Sequence, residues 1–221
     1  QFNIETDIIN NVYQSIYNIY DIDMFILDYM FFMILLFEYV EKHDSFLMIG
    51  LGGGHLPMFI KSKINAYIKV IEIDNNVLNG AREMGYNLDN VIIENGIDYI
   101  KKSNMKYDVI IIDLDCEESI LKFDIENITK IMNENSLLVI NSYSKNSILK
   151  PILKQYFRLI KRFVIGNNNI FFAQKNTNMF IKMLNEITLE TLENNNVLQH
   201  YKYKEEMLRT IKKSKVSITI N

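Results

Sequence analysis

The segment FLMIGLGGGHLPMFI, residues 46–60, limits the folds open to this chain more than any other. An apolar run ends at a turn holding Gly50, Gly52, Gly53 and Gly54, and an apolar segment resumes at Leu56. Glycine gives up side-chain packing and loses the most backbone entropy on folding. Four in so short a stretch mark a backbone that another group must approach closely. A buried strand, a bare turn and a helix, in that order, open a doubly wound α/β sheet, in which ligands bind beyond the carboxyl ends of the strands.

The downstream pattern agrees. β-Branched runs alternate with helical patterns at the spacing of βαβ units. Strands are expected over Phe46–Ile49, Ile68–Ile73, Val91–Glu94, Asp108–Asp113 and Ser136–Asn141. Helices are expected between them around Leu56–Ser62, Asn76–Met84, Gly96–Lys102, Ile120–Met132 and Ser147–Tyr156. The runs IKVIEI and YDVIIID are nearly continuous in apolar residues, as parallel strands covered on both faces require. In RFVIGNNNIFFAQK, two apolar runs flank Gly166, Asn167, Asn168 and Asn169, residues that tolerate positive φ and so point to an antiparallel hairpin. The expected fold is α/β: a Rossmann-like, doubly wound, mostly parallel seven-stranded sheet ending in that hairpin. Residues 1–40 read as a helical cap packed on a 41–221 core domain, Met179–Lys213 as further helix, and Val216–Ile220 as a last strand. Because the chain opens on Gln1 rather than Met, it is expected to be part of a longer protein.

Composition narrows the chemistry. With 24 Lys and Arg against 27 Asp and Glu, the net charge of -3 exerts no overall pull toward nucleic acid or an anionic membrane. The apolar stretch Met24–Val40 is interrupted by Asp28 and Glu38 and falls short of a membrane span. It reads as a buried helix, and the chain as cytoplasmic. One cysteine, Cys116, excludes an intrachain disulfide and a cysteine-based zinc site. His43, His55 and His200 lack metal-ligand spacing and read as surface or packing residues, so no metal is expected. The Lys-rich KYKEEMLRTIKKSK reads as a solvated helix face.

Three ligand classes use a glycine turn after a first parallel strand. A P-loop needs Gly-Lys-Ser/Thr, whereas His55 and Leu56 follow the last glycine here. The dinucleotide fingerprint needs a third glycine where His55 stands. S-adenosylmethionine (AdoMet) needs close backbone approach along its methionyl and ribosyl parts and no pyrophosphate site. Glu72, in VIEID, ends the second strand, where a carboxylate can accept both ribose hydroxyls. Asn95 and the Gly96 backbone, in IIENGIDYI, offer adenine a polar edge. The same residues also suit an ordinary strand-to-helix turn with Asp98 in the first helical turn. The glycine turn, Glu72, Asn95-Gly96 and Asp113 each end a successive strand, and together they favour AdoMet.

Those residues carry a family likeness. LMIGLGGGHLPMFI, VIEID, IIENGIDYI, YDVIIIDLD and LLVINSYSKN resemble the spermidine-synthase-like branch of class I AdoMet methyltransferases. Within that branch they are similar to the C-terminal domain of the two-domain enzymes that modify translation elongation factor 1-alpha, the methyltransferase-like 13 family. Gly50–Pro57 matches the family's G-L-G-G-G-x-L-P throughout, and EEMLRTIKKSKVSI is similar to its closing helix and strand. The likeness covers about residues 21–220, most weakly at its start. It implies a class I methyltransferase fold, AdoMet as cofactor, and methylation of a protein amine, the α-amino terminus or a lysine of the elongation factor. It carries over Gly50, Gly52, Gly53, Glu72, Asn95, Gly96 and Asp113 as cofactor- or site-lining residues, and Leu51 and Ile73 beside them are expected to bind the cofactor as well. Two positions depart. The family usually has Asp where Asn95 stands, and a Tyr-His or Tyr-Gln pair where Tyr29 is followed by Met30. The second departure argues against aminopropyl transfer.

Methyl transfer to an amine needs the nitrogen held in line and its proton removed. Asp113 and Asp115 alternate with Leu114 along a strand end, so they are expected on one face, orienting the amine and taking the proton. Asn141 is expected to contact the amine. Tyr29 is expected to roof a sulfonium, with Phe31 and Phe32 beside it reading first as core. Two readings compete with a methyltransferase: an aminopropyltransferase using decarboxylated AdoMet, and a non-catalytic methyltransferase-like interaction domain. Oligomerisation is compatible with all three.

Overall fold

The structure, a computed structural model, describes residues 4–9, 12–18, 21–25, 27–38, 44–114, 117–144, 147–176, 189–194, 198 and 201–220. The chain opens with β1 (Ile4–Ile9), β2 (Val12–Asn18) and β3 (Asp21–Phe25), which form a separate three-stranded antiparallel sheet. Helix α1 (Tyr29–Met33) follows and tightens into a 3-10 turn over Ile34–Glu38.

The main sheet comes next. Strands β4 (Ser45–Ile49), β5 (Tyr67–Glu72), β6 (Val91–Ile93), β7 (Tyr107–Asp113) and β8 (Met132–Tyr143) run parallel. The hairpin β9 (Leu159–Ile165) and β10 (Asn168–Gln174) joins antiparallel to β8 through β10, and β11 (Lys215–Ile220) adds antiparallel to β9. The spatial order is β11-β9-β10-β8-β7-β4-β5-β6. The expected seven strands are present, and the last strand expected over Val216–Ile220 is β11, an eighth at the antiparallel edge. Interleaved are α2 (His55–Lys63), α3 (Asn75–Glu83), α4 (Gly96–Lys102), α5 (Glu117–Leu121), α6 (Ile125–Lys130) and α7 (Leu149–Leu153). Helices α8 (Leu189–Asn194) and α9 (Lys204–Lys213) precede β11.

The near-continuous apolar strands are buried on both faces, as their sequence requires. Phe46, Met48, Val70, Val109, Ile111 and Val139 face one layer, which α1, α2, α3 and α9 cover. Leu47, Ile49, Ile71, Ile110, Ile112 and Ile140 face the other, covered by α4, α5, α6 and α7. Among the described residues no helix is long and apolar enough to cross a membrane.

Three expectations fail. Residues 1–40 are not a helical cap: residues 4–25 supply strands, with Ile4 opposite Asn18 and Ile9 opposite Val12. The physical signal is a period of two in IETDII, together with β-branched and Tyr residues on either side of Asn10-Asn11, a hairpin-type dipeptide. The apolar run from Met24 is helical only from Tyr29. Its residues Met30–Phe37 are all buried, so its burial matches the expectation and its extent does not. The single helix expected over Ile120–Met132 is two helices. Asp124 breaks it by accepting a hydrogen bond from the Glu126 N–H at 2.9 Å, which starts a new helix. Of the expected Met179–Lys213 helix, α8 and α9 are described. Residues 177–188, along with His43 and His200, lie outside the described residues.

Strand β3 is tied to α2 and to the segment leading into α9. The His55 ring donates through Nε2 to the Ile22 carbonyl at 2.7 Å, and Lys63 pairs with Asp23 at 2.6 Å. The hydroxyls of Tyr201 and Tyr203 donate to the Asp23 carbonyl and the Asp21 carboxylate. Burial pushes the His55 imidazole down to about 4, against upward pulls from the Ile22 carbonyl and the Asp23 charge. The unfolded chain protonates this group near 6.5, so it binds more protons than the folded chain between those values. Stability from His55 is therefore full above pH 6.5 and falls as pH drops, by about 2 kcal/mol at pH 5. His55→Gln keeps an N–H for Ile22 and removes the titration. Urea denaturation should show the stability gap between wild type and His55→Gln shrinking by that amount from pH 7 to pH 5. A gap independent of pH would contradict a buried neutral imidazole.

Candidate functional site

The carboxyl ends of β4 to β8 gather nearly every residue singled out from the sequence. The glycine turn leaves β4 with positive φ at Gly50, Gly52 and Gly54. At Gly50 (φ 93°) a Cβ would lie 2.2 Å from the Asp113 carbonyl oxygen, and at Gly54 (φ 78°) it would lie 2.3 Å from the Tyr86 ring. Two of the four glycines are thus demanded by the protein's own neighbours as much as by any ligand. The Gly50 contact presses the turn against the end of β7, beside Asp113.

Glu72 fixes the turn from the other side. It is buried, and its Oε2 accepts from the Leu51 N–H at 2.9 Å while Oε1 accepts from the Asp74 N–H at 3.0 Å. The Gly50 N–H donates to the Ile71 carbonyl, and the Glu94 N–H to the Glu72 carbonyl. A carboxylate has about four acceptor positions, and these bonds fill two, one on each oxygen. Both oxygens keep capacity for the two hydroxyls of a ribose. Ile73, the next residue, is 68% exposed, an apolar surface beside Glu72 suited to a planar base.

Asn95 and Gly96 combine both meanings considered for them. Asn95 caps α4, its Oδ1 accepting from the Ile97 N–H at 2.9 Å, and Asp98 lies in the first helical turn. With its oxygen committed, Asn95 has its amide N–H groups to offer an adenine ring nitrogen. Gly96 is buried, and a Cβ there would meet Ile49 at 2.7 Å and the Phe123 ring at 3.2 Å. Its lack of a side chain is a packing requirement.

On the neighbouring strands, Asp113 of β7 and Asn141 of β8 are register partners. Asn141 Nδ2 donates to Asp113 Oδ1 at 2.9 Å. Asp113 retains a little exposed surface, yet its carboxyl is enclosed by protein. Burial pushes it up to about 6 against the opposing effect of the Asn141 hydrogen bond. Tyr29, at the start of α1, comes near enough for the Asp113 charge to act on it. Burial first, and that charge second, hold the Tyr29 hydroxyl well above its usual range. Tyr29 therefore stays protonated at neutral pH, whereas Asp113 can exchange a proton there. Asp115 and Cys116 lie outside the described residues.

Sequence reasoning missed Glu117. Its buried carboxylate accepts from the Ser142 hydroxyl and from the Ile148 N–H at 2.7 Å, tying α5 to β8 and to the segment before α7. A lone acid in a polar stretch gives no sequence signal for such a role. Among the described residues no group of His, Cys, Asp and Glu is placed to hold a metal ion.

No protein-family model matches the chain. It is similar to the zebrafish (Danio rerio) eEF1A lysine and N-terminal methyltransferase, with 26% identity over 130 residues. That match covers 50% of this chain and only 19% of the zebrafish protein's length. The fold resembles that of human methyltransferase-like protein 13, crystallised with SAH, at a TM-score of 0.54 and 25% identity over 81% of this chain and 85% of that one. It also resembles spermidine synthase from Thermotoga maritima, at a TM-score of 0.52 and 19% identity over 77% of this chain and 65% of the other. The chain has the class I methyltransferase fold, and its likeness runs to the eEF1A methyltransferase and to spermidine synthase.

Proposed function

We propose that this chain is an AdoMet-dependent methyltransferase acting on a protein amine. The carrying observation is the Asp113–Asn141 pair, one strand away from a glycine turn anchored by Glu72. The donor set suits AdoMet: Gly50, Leu51, Gly52 and Gly53 for the methionyl part, Glu72 for the ribose, and Ile73, Asn95 and Gly96 for the adenine. When bound, AdoMet supplies a methyl group already activated on a sulfonium.

What remains for the protein is to hold a neutral amine in line and remove its proton. Alignment of that kind is worth ~7–11 kcal/mol of a barrier. Asp113, ionised above about pH 6, accepts an N–H hydrogen bond from the amine and takes the proton. Asn141 orients the carboxylate, and Tyr29, locked in its protonated form, lies within reach of its charge.

The strength of the base favours an α-amine. An α-amine titrates near 8 and a lysine at about 10.4, so transfer to a carboxylate at about 6 is uphill by roughly 2.5 and 6 kcal/mol respectively. With the likeness to the eEF1A enzyme, the amino terminus of eEF1A in the cytoplasm is the first candidate, and a lysine of the same factor the second.

Incubation with methyl-labelled AdoMet and cell extract, followed by mass-spectrometric mapping, tests the reading. A labelled amino terminus is expected. A product formed only with decarboxylated AdoMet and a polyamine would reassign the chain to aminopropyl transfer, and binding without any label would make it an interaction domain. Glu72→Ala should weaken AdoMet binding by at least about tenfold, the equivalent of ~1.4 kcal/mol, in calorimetry. Unchanged affinity would remove Glu72 from the ribose site. For Asp113→Asn, turnover should fall by about 10²–10⁴ while AdoMet affinity holds. Because burial raises Asp113 from 3.8 to about 6, the folded state is penalised above that pH. The same variant should therefore be more stable at pH 7.5, by roughly 1–3 kcal/mol. In wild type, kcat/KM should rise through an apparent pKa near 6, and that limb should vanish in the variant.

A further inference from the structure

Charge is unevenly spread along this chain. Residues 135–185 hold eight of the 24 Lys and Arg and none of the 27 Asp and Glu, so the near-neutral total hides a basic segment. Within it, Leu149, Leu153 and Phe157 recur at every fourth position and are buried in the layer that holds Leu138, Ile160 and Phe171. The next residue in each case is a base: Lys150, half-buried, then Lys154 and Arg158, both exposed. Helix α7 and the turn after it thus carry a row of cations on the outside of the core. Arg162 of β9 joins them, its Nε donating to Asn169 Oδ1 at 3.0 Å and its guanidinium lying 5.6 Å from the Phe171 ring. Burial first, then the charges of Lys154 and Arg162, hold the Lys150 ammonium below its usual range, as a close group of cations requires. Glu117 meets the start of the row at the Ile148 N–H, but it is buried and its other oxygen takes the Ser142 hydroxyl. At the far end the Arg158 N–H donates to the Gln174 carbonyl, so the row runs from the carboxyl end of β8 to its amino end.

We propose that Lys150, Lys154, Arg158 and Arg162, with Tyr156 among them, form a docking surface for single-stranded RNA along α7 and the start of β9. The proposal stands apart from the methyltransferase reading, which none of its outcomes alters. A polyanion is the partner that suits a row of one sign, because each phosphate contact releases condensed counterions. Protein–protein interfaces are depleted in Lys, whereas nucleic-acid interfaces are much more positive. A membrane surface needs a continuous apolar face beside the bases, and the exposed positions between Lys150 and Arg158 are Pro151, Lys154, Gln155 and Tyr156. The exposed Tyr156 ring offers a stacking platform for an unpaired base, which a duplex does not present. The Gln155 amide beside it can pair with a ribose 2′-hydroxyl, the group that distinguishes RNA from DNA.

The test is fluorescence anisotropy on the full chain with a fluorescein-labelled uridylate oligomer of about 16 nucleotides. A Kd of ~10⁻⁴–10⁻⁶ M is expected near physiological salt. At ~0.7 per phosphate contact, four cations give a plot of log affinity against log salt a slope of about −2.8. Combining Lys150→Gln, Lys154→Gln and Arg158→Gln should flatten that slope to about −0.7. Tyr156→Ala should weaken binding about fivefold or more and leave the slope unchanged. Lys212→Gln with Lys213→Gln, on α9 across the sheet, should change neither quantity. No binding at millimolar protein, an unchanged slope in the triple variant, or an equal loss in the α9 variant would overturn the inference. So would polyglutamate, phosphatidylserine vesicles or the matching deoxyuridylate oligomer binding as tightly as the RNA, which would assign the row to that partner instead.

Discussion

The Glu72 carboxylate holds the functional end of this sheet together. A buried charge is tolerated only where hydrogen bonds replace its water. Here they come from Leu51 in the turn after β4 and from Asp74 in the loop after β5, while the Glu72 main-chain oxygen takes the Glu94 N–H after β6. Three consecutive loops are thereby fixed against one residue. Their backbones do not have to be ordered when a ligand arrives, which removes a major cost of binding.

Asp113 is treated in the opposite way. Glu72 receives two backbone N–H groups, whereas Asp113, its carboxyl enclosed by protein, receives one bond from a neutral amide. That partial compensation leaves its proton affinity near the middle of the physiological range, where a carboxylate can both accept and release a proton. Groups perturbed in this way concentrate where chemistry is done. They also weaken the fold that carries them, which is why a site of this kind needs a rigid parallel core around it.

The parallel core was legible because its strands are covered on both faces and so lose their polar residues. IKVIEI and YDVIIID have no other reading, and their carboxyl ends located Glu72 and Asp113. Asn141 was found by the same rule one strand further on. The amino-terminal sheet was not legible as such. Its period of two spans only the six residues of IETDII, and the long apolar run from Met24 pulled the reading toward helix. The glycine turn was placed correctly, but its cause was only half visible. No sequence pattern says that Gly50 must clear the Asp113 carbonyl or Gly54 the Tyr86 ring, because both neighbours arrive from distant parts of the chain.

His55 shows how the two parts are coupled. It occupies the place where a dinucleotide fingerprint has its third glycine, a position that there lets helix and strand pack closely. Here the position carries an imidazole, buried at the start of α2 and bonded to the Ile22 carbonyl of β3. A few residues beyond Ile22 the chain becomes α1, and the first residue of α1 is Tyr29, within electrostatic reach of Asp113. The glycine turn and the wall above the acid are therefore linked through one histidine. The turn is thus held from two sides, by Glu72 through the Leu51 N–H and by β3 through His55. The dinucleotide reading failed at His55 because that side chain holds the amino-terminal sheet onto the site.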